Sequence, residues 1–336
     1  MEKFYRQILF RSWRVTWRFR WLWLFGFFAT FLGNASFYEA IIRSFNDMSE
    51  GRSIYYTLRQ YANTGIFSTF SWTKLIDLWQ TDTVSFSLSL FTILFVMLVA
   101  SLIIILAIVS QISLIKSAIT LDQNKKISFK QAFSLGIHKF WPVLGLNIIT
   151  RVVMTGFVIF IAFLVSLYIA QTSWIAYALY IVSFLVLLLL GIIIYFLTIY
   201  ASAFIVLRDK GIFVSIRYAW YIFKQNMLLN IEMGFILFLL NILIGLLAIV
   251  FAVFVLSPFI LLYLMMVLMS LSGGLGLLVV LIVILALAII AVFGSGYTTF
   301  QVTVWSILFE ELALKRGKSK MRRIVDQIKH RVKKKK

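Results

Sequence analysis

The sequence predicts an all-α, polytopic membrane protein with six transmembrane helices, arranged as three hairpins that each follow an interfacial amphipathic helix. The first observation is composition: 62% of the 336 residues are hydrophobic and 13% are charged, whereas roughly a quarter are charged in soluble proteins. The second is a set of stretches without Asp, Glu, Lys or Arg, at 84–115, 172–207 and 233–309. About 20 apolar residues suffice for a helix to cross the hydrocarbon core. Because the runs are continuous and lack period-two alternation, helices are favoured over barrel strands.

The apolar runs set the predicted elements. An interfacial helix at 1–20 precedes a membrane domain at 21–314, which contains an outer loop at 43–84 and is followed by a basic tail at 315–336. The predicted spans are 21–42, 85–115, 142–170, 174–205, 229–255 and 277–307. Pro258 lacks an N–H and clashes with the preceding turn, so the sequence predicts that the fifth helix breaks there. Residues 259–276 then form a re-entrant or interfacial connection, and a continuous kinked helix is the alternative.

Basic residues predict the orientation. Lys and Arg collect on the cytoplasmic side of membrane helices, and six spans place every basic flank on one side. The flanks at 1–20, 116–139, 208–224 and 315–336 carry six, five, four and twelve Lys and Arg residues. We therefore predict a multi-pass protein of the inner (plasma) membrane with both termini cytoplasmic. A cleaved signal peptide is the alternative for the first span, because Gly33-Asn34-Ala35 resembles a small-residue cleavage site.

An internal repeat is the basis of the three hairpins. Each copy has a small residue, then an aromatic, then a large apolar residue eight positions later that opens a span. The three copies are Ser12-Trp13 with Trp21, Ala132-Phe133 with Trp141, and Ala219-Trp220 with Leu228. The alternative is that aromatic and basic residues gather at every membrane interface without any repeat.

The first copy also predicts how the N-terminal helix lies. Tyr5, Leu9, Trp13, Trp17 and Trp21 recur every fourth residue, which forms one apolar stripe with the arginines beside it. Such a helix lies in the interface with its cations toward lipid phosphates. The predicted partners are therefore the bilayer and its anionic phospholipid headgroups, and nucleic acid is the electrostatic alternative for the basic tail. The residues assigned to lipid phosphate are Arg14, Arg18, Arg20, Lys139, Lys224, Arg322 and Arg323.

Two regions resemble a known group. The run Ser12-Trp13-Arg14-Val15-Thr16-Trp17-Arg18-Phe19-Arg20-Trp21-Leu22-Trp23-Leu24-Phe25-Gly26 is similar to the opening of a group of uncharacterised bacterial six-span proteins. The segment Ile127-Ser128-Phe129-Lys130-Gln131-Ala132-Phe133, with its counterpart from Val214 to Trp220, resembles their inner loops. That group is linked with the membrane domain found beside glycerophosphoryl diester phosphodiesterases. The resemblance implies a membrane domain.

The sequence predicts no enzyme. A phosphodiesterase of that kind needs a soluble barrel with carboxylate motifs, and here His330-Arg331 has no carboxylates beside it. The chain also shows no phosphate loop, no Gly-x-Ser-x-Gly elbow and no His-Glu-x-x-His motif. With two histidines and no cysteine, neither a catalytic metal nor another cofactor is predicted.

Three charged residues fall within predicted spans. Arg151 lies roughly 15 Å into the third span at 1.5 Å per residue, and Glu232 and Glu39 lie in the fifth and first. Charges at such depth are expensive and often functional. A structural Arg151–Glu232 pair is one interpretation. An anion or lipid-phosphate site on Arg151, and snorkelling of its side chain to the interface, are the others.

Polar residues concentrate at the cytoplasmic ends of the even-numbered spans. Such residues fasten helices by bonding their own backbone or a neighbouring helix. The alternative is a shared polar cavity that opens to the cytoplasm. Its predicted lining comprises Gln111, Tyr195, Thr198, Tyr200, Tyr297, Thr299 and Gln301.

Three functions fit this sequence. The leading prediction is a non-enzymatic integral membrane protein that acts as a scaffold, assembly or lipid-associated factor, with no protein partner identified by the sequence. The second is a transporter or permeation pathway for a small or anionic solute, for which the polar ends provide a lining. The third is a membrane-embedded enzyme that acts on lipid, which lacks acid and base groups.

Overall fold

The computed structural model describes residues 3–32, 79–80, 83–169, 174–269 and 274–314. Within these ranges the backbone forms nine α-helices and no strand, which confirms the all-α prediction. The helices are α1 (Lys3–Arg18), α2 (Leu22–Thr30), α3 (Thr83–Asp122), α4 (Phe129–His138), α5 (Phe140–Ile169), α6 (Trp174–Arg208), α7 (Ile212–Gln225), α8 (Met227–Leu268) and α9 (Leu275–Ala313).

Five helical segments are long and apolar enough to cross a membrane. They are Thr83–Asp122, Phe140–Ile161, Ile181–Arg208, Met227–Leu268 and Leu275–Ala313. The chain is therefore a helical membrane protein. Residues 33–42 of the first predicted span lie outside the described residues, as do most of the outer loop and all of the tail. The count of six spans, the hairpins and the orientation stay predictions.

The chain divides into two compact units. Unit 1 comprises Met1–Phe31, Ala107–Val143 and Ile199–Lys336, and unit 2 comprises Leu32–Leu106 and Leu144–Thr198. Among the described residues, nearly all buried hydrophobic side chains belong to unit 1. Within unit 1, α1, α2 and α8 all pack against α9. This unit therefore holds the packed core and most of the residues considered below.

Burial along α9 shows how polarity is distributed in unit 1. Residues near its C-terminal end are buried, including Thr299, Thr303 and Ser306. Toward its start the side chains are large, apolar and exposed, as at Leu277 with 79% of its surface exposed. In a membrane the exposed apolar surface contacts lipid, while polar groups are placed between helices. The polar end of α9 is thus a packing surface.

The predicted break at Pro258 is wrong, because α8 continues as one helix from Met227 to Leu268. Proline removes one backbone donor, which would leave the Phe254 carbonyl four residues earlier without its usual bond. The Ser257 hydroxyl donates to that carbonyl at 3.2 Å. A neighbouring Ser is one way for a membrane helix to satisfy a group freed by proline. The continuous helix was the stated alternative, and it excludes a re-entrant segment before Met269.

A tight connection joins α3 to α4. The N–H groups of Asn124 and Lys125 donate to the carbonyls of Leu121 and Thr120, both at 3.0 Å, which is the Schellman pattern of helix termination. Asn124 has a φ of 58°, a left-handed conformation that Asn tolerates better than most residues. Ser128 then begins α4 with a capping box, in which its hydroxyl accepts the Gln131 N–H at 3.3 Å. These caps fix the path of residues 123–128.

Candidate functional site

The helices α2 and α9 approach each other closely at Gly26. A Cβ added at Gly26 would lie under 3.0 Å from both the Thr299 hydroxyl and the Ser295 carbonyl, closer than real Cβ atoms come. The Thr299 hydroxyl bonds the Ser295 carbonyl at 2.8 Å and lies 3.3 Å from the Leu22 carbonyl on α2. Small residues at helix interfaces in lipid allow such approaches. The two helices are therefore in direct contact at Gly26, Ser295 and Thr299.

The three short amphipathic helices bury small residues. Ser12 on α1, Ala132 on α4 and Ala219 on α7 are each 0% exposed, and these are the small residues of the predicted repeat. The Ser113 hydroxyl on α3 donates to the Ala132 carbonyl at 2.9 Å. A Cβ at Gly136, one turn further along α4, would come within 2.7 Å of that hydroxyl. On α1, α4 and α7 the small residue thus lies on the buried face of its helix.

The aromatic stripe predicted to face lipid on α1 is separate from the most buried side chains of that helix. Trp13 and Trp17 are 49% and 42% exposed, whereas Ile8, Val15 and Thr16 are buried. The helix packs on α9, and the Trp13 ring contacts the Phe300 ring with centroids 6.0 Å apart. The rings of Trp13 and Trp17 lie beside each other, with centroids 5.2 Å apart. Such rings suit the headgroup layer.

A second set of contacts joins helix ends through Arg11. Its Nε donates to the Asp122 carboxylate at 2.8 Å, its Nη2 also pairs with that carboxylate, and its Nη1 pairs with Glu311 at 2.7 Å. The hydrogen bond that Arg11 donates to Asp122 is the main cause that raises the pKa of the Arg11 guanidinium above its ordinary value. Asp122 ends α3 and Glu311 lies near the end of α9. One arginine on α1 therefore connects the ends of two long helices.

Two further ion pairs lie in the same unit. Arg208 at the end of α6 pairs with Glu310 on α9 at 3.4 Å. Lys139 pairs with Asp209, and the hydrogen bond from Lys139 lowers the pKa of the Asp209 carboxyl. Lys139 was predicted as a lipid-phosphate residue, and its ammonium group contacts this carboxylate; the lipid assignment stays a prediction. Together with Arg11 these pairs join the ends of α3, α6 and α9.

Five of the seven predicted cavity residues lie in unit 1, and Tyr195 and Thr198 lie in unit 2. The hydroxyls of this set are mostly bonded to helix backbone or to a neighbouring helix. Thr198 bonds the Ile194 carbonyl at 2.7 Å, Tyr200 bonds the Asn230 amide oxygen, Tyr297 bonds the Leu237 carbonyl at 2.8 Å, and Thr299 bonds Ser295 as described above. Gln111, Tyr195 and Gln301 are half-buried. These bonds support helix fastening as the role of the hydroxyls, and the cavity stays a prediction.

The predicted intramembrane charges have different surroundings. Arg151 on α5 is exposed, and its guanidinium donates to the Leu32 carbonyl at 3.4 Å. Glu232 on α8 accepts a hydrogen bond from the Tyr5 hydroxyl of α1. Arg151 belongs to unit 2 and Glu232 to unit 1, and their pairing stays a prediction. Glu39 lies outside the described residues.

A basic groove between α1 and the α3–α4 connection brings together residues that the sequence did not associate. It has a volume of about 650 Å³. Five basic side chains and one carboxylate line it, beside an apolar floor. Of the predicted lipid-phosphate residues, Arg14 and Arg18 lie here, whereas Lys125 and Lys126 were not singled out. The lining comprises Arg11, Arg14, Val15, Arg18, Phe19, Trp21, Leu121, Asp122, Asn124, Lys125, Lys126 and Ile127.

The remaining predicted lipid-phosphate residues are dispersed. The Arg20 guanidinium lies over the Trp17 ring at 5.9 Å from its centroid. Lys224 and Arg217 border a separate surface groove of about 670 Å³ along α7, with Trp220 and neighbouring aromatics. Arg322 and Arg323 lie outside the described part of the chain. Exposed basic and aromatic side chains thus alternate on both α1 and α7.

No known protein-family model, curated protein or solved structure matches the chain. Within the described ranges no three His, Cys, Asp or Glu side chains are grouped so as to hold a metal ion. The basic groove is the described site at which charge and shape together favour a ligand.

Proposed function

We propose that the protein is a non-enzymatic, six-span integral protein of the inner (plasma) membrane that acts as a lipid-associated scaffold or assembly factor. Both termini face the cytoplasm in this proposal. The observation that carries it is that unit 1 has two distinct sets of polar and charged side chains, one buried between helices and one exposed. Polar side chains such as Ser113 and Thr299 hold helices together, while the cationic and aromatic side chains of α1 and α7 remain exposed.

The exposed side chains suit the headgroup layer. Arg14 lies over the Phe10 ring at 5.0 Å, and Arg18 lies over the Phe19 ring at 5.6 Å from the ring centroid. Guanidinium groups bind phosphates, and amphipathic aromatic rings favour the interface. Juxtamembrane Lys and Arg each contribute about 1 kcal/mol of attraction to an anionic leaflet. A protein with such a surface is held at the cytoplasmic leaflet.

The threefold unit of one surface helix and one hairpin forms part of this proposal. Its support is the order of the described helices, in which α4 and α7 each precede two helices long enough to span a membrane, and α1 precedes the nine-residue α2 and the long α3. The complete burial of Ser12, Ala132 and Ala219 at corresponding places supports it further. Because each copy places its basic residues at the same end, the repeat also supports a common cytoplasmic side. The resemblance to phosphodiesterase-linked membrane domains is compatible with this arrangement and stays a prediction.

A permeation pathway is the second candidate, because several buried polar atoms have no hydrogen-bond partner within the described residues. They are Gln111 Oε1, Ser117 Oγ, Ser202 Oγ and Asn230 Nδ2. Buried polar groups are normally satisfied by protein or by ordered water. Water between α3, α6 and α8 is the feature that a passage would need.

Solute flux separates the two candidates. The full-length protein is reconstituted into liposomes that contain phosphatidylglycerol, and the release of trapped small anions and cations is followed. We expect release no faster than from liposomes with heat-denatured protein. Saturable release that is lost on changing Gln111 to Leu would overturn the scaffold proposal and establish the pathway.

Orientation needs its own test, which the cysteine-free sequence simplifies. Single cysteines at Asn124 and at Gly211 lie in the two described connections after α3 and α6. In intact cells both should resist an impermeant maleimide and react once the membrane is permeabilised. Labelling of either position in intact cells would contradict a cytoplasmic location.

A further inference from the structure

The basic groove has two walls of different origin. Arg11, Arg14 and Arg18 recur at intervals of three and four residues on α1, so they project from one helix face. The opposite wall is the end of α3 and the capped segment that follows it, including Lys125 and Lys126. The Schellman and capping-box bonds described above hold that segment in place. The groove is therefore formed by two fixed elements more than 100 residues apart in the chain.

The charges in the groove are not balanced by its own residues. The single carboxylate of its lining, Asp122, is bound by Arg11. Within the described ranges, no ion pair involves Arg14, Arg18, Lys125 or Lys126. Four cations thus surround the same space, where their mutual repulsion favours an anion. Arginine forks also match phosphate oxygens, two N–H groups at a time.

The apolar part of the groove indicates what carries the phosphate. Val15, Phe19 and Trp21 line it beside the basic residues. α2 begins at Leu22, so Trp21 marks the point at which the chain enters the apolar layer. A tryptophan at that position lies at headgroup depth. A free phosphate ion has no apolar surface to bury against these side chains. The glycerol and first acyl carbons of a lipid do have such surface, and burying it favours binding.

We propose that this groove binds the headgroup of an anionic phospholipid. The phosphate lies between the arginines of α1 and Lys125 and Lys126, and the glycerol end rests on Phe19 and Trp21. This inference rests on the proposed function, because it requires the groove to face the cytoplasmic leaflet. The bound lipid joins α1 to the end of α3 beside the Arg11–Asp122 pair. Binding therefore stabilises the folded protein, by an amount that rises with the logarithm of ligand concentration once this exceeds Kd.

The test measures lipid binding to the detergent-purified, full-length protein by native mass spectrometry and by the shift of its melting temperature. Phosphatidylglycerol, phosphatidylcholine and inorganic phosphate are the probes. We expect phosphatidylglycerol to bind and to raise the melting temperature, and the other two to have little effect. Inorganic phosphate that matches the lipid would overturn the lipid assignment, because the apolar floor would then contribute nothing.

Matched double variants locate the site. The Arg14→Gln/Arg18→Gln and Lys125→Gln/Lys126→Gln pairs should each weaken phosphatidylglycerol binding about 25-fold, if each basic residue contributes about fivefold. The control is Arg217→Gln/Lys224→Gln, which removes two cations from the separate groove on α7. An equal loss in the control would show general surface attraction and overturn the site. Unchanged binding in both groove variants would do the same.

A charge-conserving variant covers the case in which the glutamine variants fail to fold. Arg14→Lys/Arg18→Lys keeps both charges and loses the guanidinium forks, so it should bind phosphatidylglycerol several-fold more weakly than the wild type. Binding as tight as that of the wild type would contradict recognition by the arginines. Failure of the site and failure of the proposed function remain distinguishable. Saturable solute flux would overturn the proposed function, whatever the groove binds. If the protein shows no flux and the groove variants still bind phosphatidylglycerol normally, only the lipid site is overturned.

Discussion

Gly26 offers the sharpest test of the packing between α2 and α9. We predict that Gly26→Ala destabilises the folded protein, although alanine is the better helix former. The added Cβ would come under 3.0 Å from the Ser295 carbonyl oxygen and the Thr299 hydroxyl. The carbonyl belongs to the backbone of α9 and cannot rotate away. The two helices must therefore separate until ordinary contact, which begins at 3.4 Å, is restored.

Two opposing effects set the magnitude. Overpacking of a tight site costs about 1–3 kcal/mol. Replacing a helical glycine by alanine returns up to about 1 kcal/mol through helix propensity. Separation also lengthens the 3.3 Å contact between the Thr299 hydroxyl and the Leu22 carbonyl. The net expectation is a loss of about 1–2 kcal/mol in the free energy of unfolding.

The assay is reversible unfolding of the purified protein in mixed micelles, followed by tryptophan fluorescence as the fraction of denaturing detergent is raised. The matched controls are Gly245→Ala on α8 and Gly294→Ala on α9, where an added Cβ meets no atom within 4 Å. Both controls should be neutral or slightly stabilised. If Gly26→Ala is as stable as these controls, the close approach of α2 and α9 is refuted.

A double variant tests the cause of the expected loss. Thr299→Ala removes one of the two crowding atoms and leaves the Ser295 carbonyl in place. Gly26→Ala/Thr299→Ala should therefore recover part of the stability lost by Gly26→Ala, measured as a double-mutant cycle. Strictly additive losses would show that the two positions do not touch.

Three further predictions concern hydrogen bonds and ion pairs. Arg11→Gln should lower the free energy of unfolding by about 1–2 kcal/mol, because the Asp122 side chain, which is 8% exposed, loses its cation. The loss is not larger, because solvent already screens the arginine, whose side chain is 40% exposed. Equal stability of Arg11→Gln and wild type in the same micelle assay would contradict this. Tyr200→Phe should lower the free energy of unfolding by about 1–3 kcal/mol, since the buried amide oxygen of Asn230 loses its hydrogen-bond donor. A loss of stability smaller than that caused by removing a solvent-exposed hydroxyl would refute this prediction. Lys139→Gln should destabilise slightly at neutral pH and not in acid. Because the pKa of Asp209 is lowered in the folded protein, its ion pair contributes fully to stability above the unfolded pKa of about 3.9, and this contribution disappears as pH falls through the folded pKa. Thermal unfolding measured from neutral to acid pH checks this. A difference in stability between variant and wild type that persists in strong acid would contradict it.

Helix positions were predictable because they depend on a property read directly from the sequence. A run without charges has one stable conformation in lipid, in which the backbone satisfies its own hydrogen bonds. α3 begins at Thr83 and α9 at Leu275, each two residues from the predicted start of its span. The small residues Ser12, Ala132 and Ala219 of the predicted repeat are all buried, which the sequence did not foresee, and the repeat itself stays a prediction.

The error at Pro258 had a local cause that composition does not reveal. At Pro258 the missing donor is compensated by the hydroxyl of the residue just before it, an exchange that a rule about proline alone does not include. On α1 the four-residue recurrence identified a lipid-facing stripe, and the burial of Ile8, Ser12 and Thr16 on the same helix was not predicted. Periodicity identifies the faces of a helix, and it does not say which face contacts a neighbouring helix.

The basic groove was beyond prediction for a different reason. Arg11 and Asp122 are separated by 111 positions, and no pattern in a single sequence relates them. Arg14 and Arg18 were assigned to lipid phosphate from the helix of α1, which is half of the site. Lys125 and Lys126 became relevant once the capped connection placed them opposite. A pair of adjacent lysines shortly after a long apolar helix is the sequence signal for this wall of the groove.

The uninterrupted α8 has a mechanical consequence. Its 42 residues extend about 63 Å at 1.5 Å per residue, and a tilt of about 40° still leaves a projected height of about 48 Å, more than a bilayer with its headgroups. One end of this rod must therefore emerge from the membrane or bend along its surface. The easiest place to bend is Pro258, where a main-chain hydrogen bond is missing. Membranes of different thickness should thus be accommodated by flexing at Pro258, while the anchored start of α8 beside α9 keeps its packing.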